Sequence, residues 1–134
     1  MMLRRGELAN LLGWLKSLPH EAVTKRPQLC RDYGWALTLT GQLDMGETYL
    51  REAEATTQGD DALLGSILVA QAYNLRVRGN NPAAIERAQR ARSLLPEEDQ
   101  LTHGLLALTL GLAFWNCGNF PESEQAFVQV DRAA

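Results

Sequence analysis

Cysteine and histidine are scarce, with two of each in 134 residues. Cys30 and Cys117 sit in apolar surroundings, with no second Cys or His at ligand spacing. Neither a zinc site nor a disulfide framework is indicated, and both are expected to be buried helix thiols. His20 lies in "SLPHE" and His103 in "DQLTHGLLA". Neither has a partner three or four residues away for a metal, and no nucleophile motif of the G-x-S-x-G kind stands near. No Gly-rich loop ending in G-K-S/T is present, so no ATP site is expected. Apolar runs never approach the ~18 residues of a membrane span. A positive excess is also missing. Lys and Arg total 13 against 16 Asp and Glu, for a net charge of −3 and a pI near 5.4. Since phosphate neutralisation dominates nucleic-acid affinity, direct nucleic-acid binding is not expected. The opening "MMLRRGELAN" turns polar too soon for a signal peptide, so a cytoplasmic protein is expected.

Paired acids give no catalytic reading either. Glu52/Glu54 and Glu97/Glu98 are adjacent or nearly so, and on a helix such neighbours point apart. The arginines Arg76, Arg78, Arg87, Arg90 and Arg92 stand among Glu86 and "PEED" and read as a solvated helix face. No metal, no cofactor and no catalytic residue is expected, and the chain does not read as an enzyme.

What the sequence does contain is a repeat. "TGQLDMGETYLREAEA" starts at Thr40, "RGNNPAAIERAQRARSLLP" at Arg78 and "CGNFPESEQAFVQV" at Cys117. Their glycines, Gly41, Gly79 and Gly118, are 38 and 39 residues apart. Seven residues before each glycine is a small residue: Gly34, Ala72 and Gly111. Four before is a bulky one (Leu37, Leu75, Phe114), and five after another small one (Gly46, Ala84, Ser123). A glycine that ends one helix, followed within three residues by another helix start, makes a helical hairpin. Pro82 and Pro121 fit the first turn of the second helices, where a missing N–H does no harm. Asn119 with Glu122 reads as a capping box. Small residues at matched positions let the two helices approach closely. No hairpin of this kind can bury its apolar face alone, so hairpins must stack.

Hydrophobic periodicity then predicts seven helices, at about 7–17, 27–40, 43–57, 60–79, 81–94, 97–117 and 120–132. Asp60 is an N-cap candidate, and Pro96-Glu-Glu reads as the start of the sixth helix. The predicted helices at 60–79 and 97–117 would each be on the order of 30 Å long. No strand alternation competes. The expected fold is all-α: one domain over 1–134, a right-handed stack of antiparallel helix pairs. A half-unit at 6–19 precedes repeats at about 27–58, 60–96 and 97–134.

These units resemble the tetratricopeptide repeat, whose usual length is about 34 residues. Gly34, Leu37, Gly41, Leu43, Gly46, Leu50 and Ala53 fall on its signature positions in the first unit. Ala72, Leu75, Gly79, Ala84, Ala88, Ala91 and Pro96 do so in the second, and Gly111, Phe114, Gly118, Phe120, Ser123 and Phe127 in the third. The longer period, Asn81 at a bulky position, and Gly46 and Ser123 where Ala is usual mark a divergent subfamily. Residues 6–58 have a narrower likeness. Trp14-Leu15, Leu18-Pro19, "RPQLC" at Arg26–Cys30, "WAL" at Trp35–Leu37 and "AEA" at Ala53–Ala55 occur in that order. The order resembles the helical-repeat region of MalT-like, LuxR-type large ATP-binding transcription regulators. In that family the repeats lie between an NTPase module and a helix-turn-helix reader. The resemblance implies a piece or relative of a longer regulator, with repeats that sense an inducer or a partner protein.

By analogy with that geometry, first helices line a concave groove. The groove-facing positions are Gln28, Arg31, Trp35 and Thr38, then Ser66, Val69, Tyr73 and Arg76, then Leu105, Leu108, Leu112, Trp115 and Asn116. Trp35, Tyr73 and Trp115 fall at nearly one height, with Arg31, Arg76 and Asn116 as polar flanks. Aromatics with polar neighbours suit a small-molecule inducer or a peptide, because ring faces stack while polar tips orient. The bland alternative is packing between repeats. A second expectation is a generic scaffold that self-associates through exposed apolar ends, with Leu8, Leu12 and Phe127 as contacts in a homodimer.

Overall fold

The computed structural model describes residues 5–133. Its helices are α1 (Arg5–Ser17), α2 (His20–Thr24), α3 (Pro27–Leu39), α4 (Leu43–Thr56), α5 (Asp61–Val77), α6 (Asn81–Leu94), α7 (Gln100–Asn116) and α8 (Phe120–Ala133). No strand occurs among the described residues. The fold is all-α, built from helical hairpins repeated along the chain.

Three corners carry the repeat, and they share one geometry. Gly41, Gly79 and Gly118 have φ of 88°, 89° and 81°, a left-handed conformation that costs glycine least. At each corner the glycine N–H donates to the carbonyl three residues back: Thr38 (3.2 Å), Arg76 (2.9 Å) and Trp115 (3.0 Å). The following N–H donates five residues back: Gln42 to Leu37 (2.8 Å), Asn80 to Leu75 (2.9 Å) and Asn119 to Phe114 (2.9 Å). This pair of bonds is the Schellman cap, which satisfies carbonyls the helix end leaves bare. The bulky residue four before each glycine is the one whose carbonyl accepts the longer-range bond. The second helices then start and stop alike. Gln42 and Asn80 have φ/ψ of −87°/69° and −88°/72°, and the residues after α4 and α6, Thr57 and Leu95, are both extended.

The chain falls into two compact units, Met1–Gly59 and Asp60–Ala134. In the first, α3 and α4 form the hairpin, α1 and α2 lie against α3, and α2 also touches α4. Leu15, Val23, Cys30, Leu37 and Leu50 make its buried core. In the second, α5–α6 and α7–α8 are hairpins, and α7 packs on both α5 and α6. Its core is Ile67, Leu68, Leu106 and Leu110, together with the fully buried Ala72, Ala84 and Ala88. Burying one leucine contributes roughly 1.5–3 kcal/mol.

Within the α3–α4 and α7–α8 hairpins the small residues are required by distance. A Cβ on Gly34 would lie 2.7 and 2.8 Å from Leu50 Cγ and Cδ2. One on Gly111 would lie 2.5 Å from the Phe127 ring. One on Gly46 would lie 2.6 Å from Thr38 Oγ1. At the position matching Gly46, Ser123 instead donates its hydroxyl to the Gly111 carbonyl at 2.8 Å. Nine residues after the three corner glycines stand Leu50, Ala88 and Phe127. A large residue there faces Gly (Gly34, Gly111), and the small Ala88 is matched with Ala72. Volume is exchanged across the hairpin.

Three sequence expectations are corrected. "SLPHE" is not a plain breaker, because Pro19 precedes the five-residue helix α2. The helix expected from 97 begins at Gln100, since Asp99 Oδ1 accepts from Thr102 N at 3.2 Å and Pro96–Asp99 forms a turn. The matching cap on α5 is as expected: Asp60 Oδ1 accepts from Leu63 N at 3.0 Å. The helices α5 and α7 have 17 residues each. At 1.5 Å per residue each is about 26 Å long, shorter than expected because the capping aspartates and corner residues lie outside them.

Candidate functional site

The corner glycines fix a common register, and the anticipated site residues can be placed in it. Trp35 and Tyr73 each stand six residues before their glycine, and the residue there in the third hairpin is Leu112. Trp115 stands three before Gly118, equivalent to Arg76 and Thr38. Counted from the corner glycines, Trp115 therefore stands three residues later in the register than Trp35 and Tyr73.

In the first unit Trp35 is half-buried. Arg31 is also half-buried and is drawn to its neighbour Asp32, with Nε and Nη2 each 3.1 Å from Oδ1. Behind them the α3–α4 interface holds a sulfur and two phenols. Cys30 is fully buried and donates its thiol to the Tyr49 carbonyl at 3.0 Å. The Tyr33 and Tyr49 rings lie 4.3 Å apart, tilted by 44°. Burial, reinforced by the Glu52 carboxylate, pushes the Cys30 thiol from 9.0 up to about 11. Burial also raises Tyr49, helped by Tyr33, Cys30 and Glu52. Such a thiol stays protonated at neutral pH and is a poor nucleophile or ligand, so this cluster is packing rather than chemistry.

In the second unit Arg76 and Tyr73, one turn apart on α5, come together. The Arg76 guanidinium carbon sits 5.0 Å from the centre of the Tyr73 ring, in cation–π geometry. Its Nε is buried and has no hydrogen-bond partner. At the α7–α8 corner, Trp115 meets Phe120 edge-on at 4.8 Å. Asn116 Nδ2 donates to Asn81 Oδ1 at 3.5 Å, linking the end of α7 to the start of α6. Phe120 and Asn81 were read from sequence only as signature positions. Helical spacing gives no sign of the Trp115–Phe120 pair, because five residues and a reversing turn separate the two.

The residues anticipated for self-association can be placed only in part. Leu12 is buried, Phe127 is half-buried with its ring over Gly111, and the side chain of Leu8 lies outside the described residues. The exposed large apolar side chains of the second unit include Leu101, Leu108, Trp115 and Phe120. Cys117 is exposed, against expectation, because it is the last residue before the glycine at its corner. His103 is half-buried, with Nε2 3.1 Å from the Pro96 carbonyl, a structural link across the turn before α7. Among the described residues no group of three His, Cys, Asp or Glu could hold a metal. No described helix is long and apolar enough to cross a membrane. No protein-family model, curated protein or solved structure matches the chain.

Proposed function

We propose that this chain is a non-enzymatic helical-repeat module that binds a protein or small-molecule inducer. The observation that carries the reading is the Arg76–Tyr73 pair. A guanidinium is oriented on a ring face, and its buried Nε–H lacks an acceptor. A buried donor without a partner costs about 1–3 kcal/mol, which a ligand acceptor would recover. Arginine presents its N–H groups as a rigid fork that matches a carboxylate. The ligand chemistry supported best is therefore a carboxylate next to a flat apolar group, on a free inducer or a peptide. Binding would act by favouring one arrangement of the hairpins, since a ligand shifts an equilibrium only by its preference between states. The resemblance of residues 6–58 supports a place in, or kinship with, a LuxR-type transcription regulator. A phosphate loop encoded upstream and a helix-turn-helix downstream of the gene segment would bear that out.

A thermal-shift titration with benzoate, phenylacetate and short peptides tests the site. Arg76→Gln is expected to abolish the shift, Tyr73→Ala to weaken it about tenfold or more, and Tyr73→Phe to keep it. No shift with any carboxylate, or equal shifts in wild type and Arg76→Gln, would remove this site from consideration.

A further inference from the structure

We propose that the Tyr49–Glu52 edge of the first hairpin binds an alkylammonium group, carried by a free amine or by a lysine side chain. The carboxylate is what calls for it. Glu52 is half-buried, and its Oε2 is sealed from solvent without accepting a hydrogen bond. Among the described residues it forms no ion pair. A carboxylate oxygen taken out of water without a donor is costly, and a cation is the partner that offsets the cost. The surroundings ask for the same sign. Burial first, and the Glu52 charge after it, raises both the Cys30 thiol and the Tyr49 phenol, and no cation lowers either. Helix α4 also ends close by with no basic residue in its last turn, which leaves the negative pole of its dipole unanswered.

The neighbours of Glu52 fit an ammonium on an alkyl chain. Tyr49 stands one turn before Glu52 on α4, so the two lie on one side of the helix. Tyr33, whose ring packs 4.3 Å from that of Tyr49, is buried, whereas Tyr49 is half-buried and is the ring a ligand can reach. A ring face beside a carboxylate attracts an ammonium twice, through the ring quadrupole and through the charge. Met45, a further turn back and 47% exposed, supplies apolar surface for the chain. The repeat itself does not require these groups. Counted from the corner glycines, Cys30, Tyr33 and Tyr49 correspond to Ala107, Leu110 and Ala126 of the third hairpin, all buried and apolar. In the second hairpin the places of Tyr49 and Glu52 are taken by Arg87 and Arg90. A ring paired with an acid is thus peculiar to the first hairpin, where packing alone does not explain it.

The edge belongs to the first unit and the Arg76–Tyr73 pair to the second, so the two sites are tested separately. Melting of the whole chain is followed with butylammonium chloride or N-acetyl-lysine methylamide, against sodium chloride at equal ionic strength. At ten times its Kd either amine should raise Tm by about 3 °C or more. A rise with the free amine alone assigns the site to a small molecule, and one with the lysine derivative alone to a peptide. Glu52→Gln should abolish the rise and, without amine, melt no lower than wild type, since it loses only an unpaired charge. Tyr49→Leu, checked for wild-type helicity, should weaken binding about threefold or more, and Arg76→Gln should leave it unchanged. No rise with either amine, an equal rise with sodium chloride, or an undiminished rise in Glu52→Gln would overturn the inference. So would Glu52→Gln melting well below wild type without amine, because the chain itself would then be holding the carboxylate.

Discussion

Gly34→Ala is expected to lower stability by about 1–3 kcal/mol, although alanine is the better helix former by about 1 kcal/mol. The clash decides the sign. The added methyl would lie 2.7 Å from Leu50 Cγ and 3.2 Å from the Gly46 carbonyl oxygen. Leu50 is fully buried and has nowhere to swing, and the carbonyl belongs to the facing backbone. Either the α3 and α4 axes separate or Leu50 leaves its rotamer. Leu50→Ala alone should cost more, about 2–5 kcal/mol, because it leaves a cavity in the first unit. The double variant should cost at least about 1 kcal/mol less than the two single losses together, since the alanine at 34 partly fills that cavity. Urea unfolding followed by far-UV circular dichroism measures all four proteins. Additive losses, or a stabilised Gly34→Ala, would show that the close approach is not what the glycine provides.

Alkaline pH should produce a comparable loss through Cys30. Its pKa is raised from 9.0 to about 11 by burial first and by Glu52 second. The folded chain therefore holds this proton more tightly than the unfolded chain does. The resulting stabilisation is fully present below pH 9 and falls away as pH rises through about 11, by roughly 2–3 kcal/mol in all. Tyr49, raised by the same burial, adds to the fall with the same sign. Cys30→Ala should flatten much of the slope between pH 9 and 11, whatever it does to stability at neutral pH. Native-state thiol titration should count one fast thiol, the exposed Cys117, and a second only on unfolding. Two fast thiols, or an unchanged alkaline slope in Cys30→Ala, would mean that the sulfur is not sealed between α3 and α4.

Much of this architecture could be read from the sequence because the repeat's strongest signals are local. A glycine that must take positive φ, a polar residue after it and an aspartate at a helix start act within a few residues, so Gly41, Gly79, Gly118 and Asp60 were identifiable. The misreadings came where two local signals competed. Pro96-Glu-Glu offers a good first turn, but the Asp99 carboxylate three residues on captures a backbone N–H and moves the start of α7. The helix α2 is five residues long, too short for any periodicity to register. Trp115 was matched to Trp35 and Tyr73 by approximate height, whereas counting back from the corner glycines places Leu112 there. The Arg76–Tyr73 contact was accessible because residues three apart on a helix are neighbours. The exposure of Leu101 and Leu108 was not, since an uncharged helix reads the same whether its last side is covered or open.

Transplanting the first hairpin's solution into the second tests the equivalence of the repeats most directly. Ala72 and Ala88 are both fully buried and occupy the register positions of Gly34 and Leu50. Ala88→Leu alone should lower the melting temperature sharply, through overpacking on the order of 1–3 kcal/mol or more. Adding Ala72→Gly removes the opposing methyl and should recover most of that loss, despite glycine's poorer helix propensity of about 1 kcal/mol. The deciding measurement is the melting temperature of Ala72→Gly/Ala88→Leu against that of Ala88→Leu. The expected result is a double variant clearly more stable than the single one. A double variant as unstable as the sum of its parts would contradict the claim that these hairpins are copies of one packing unit.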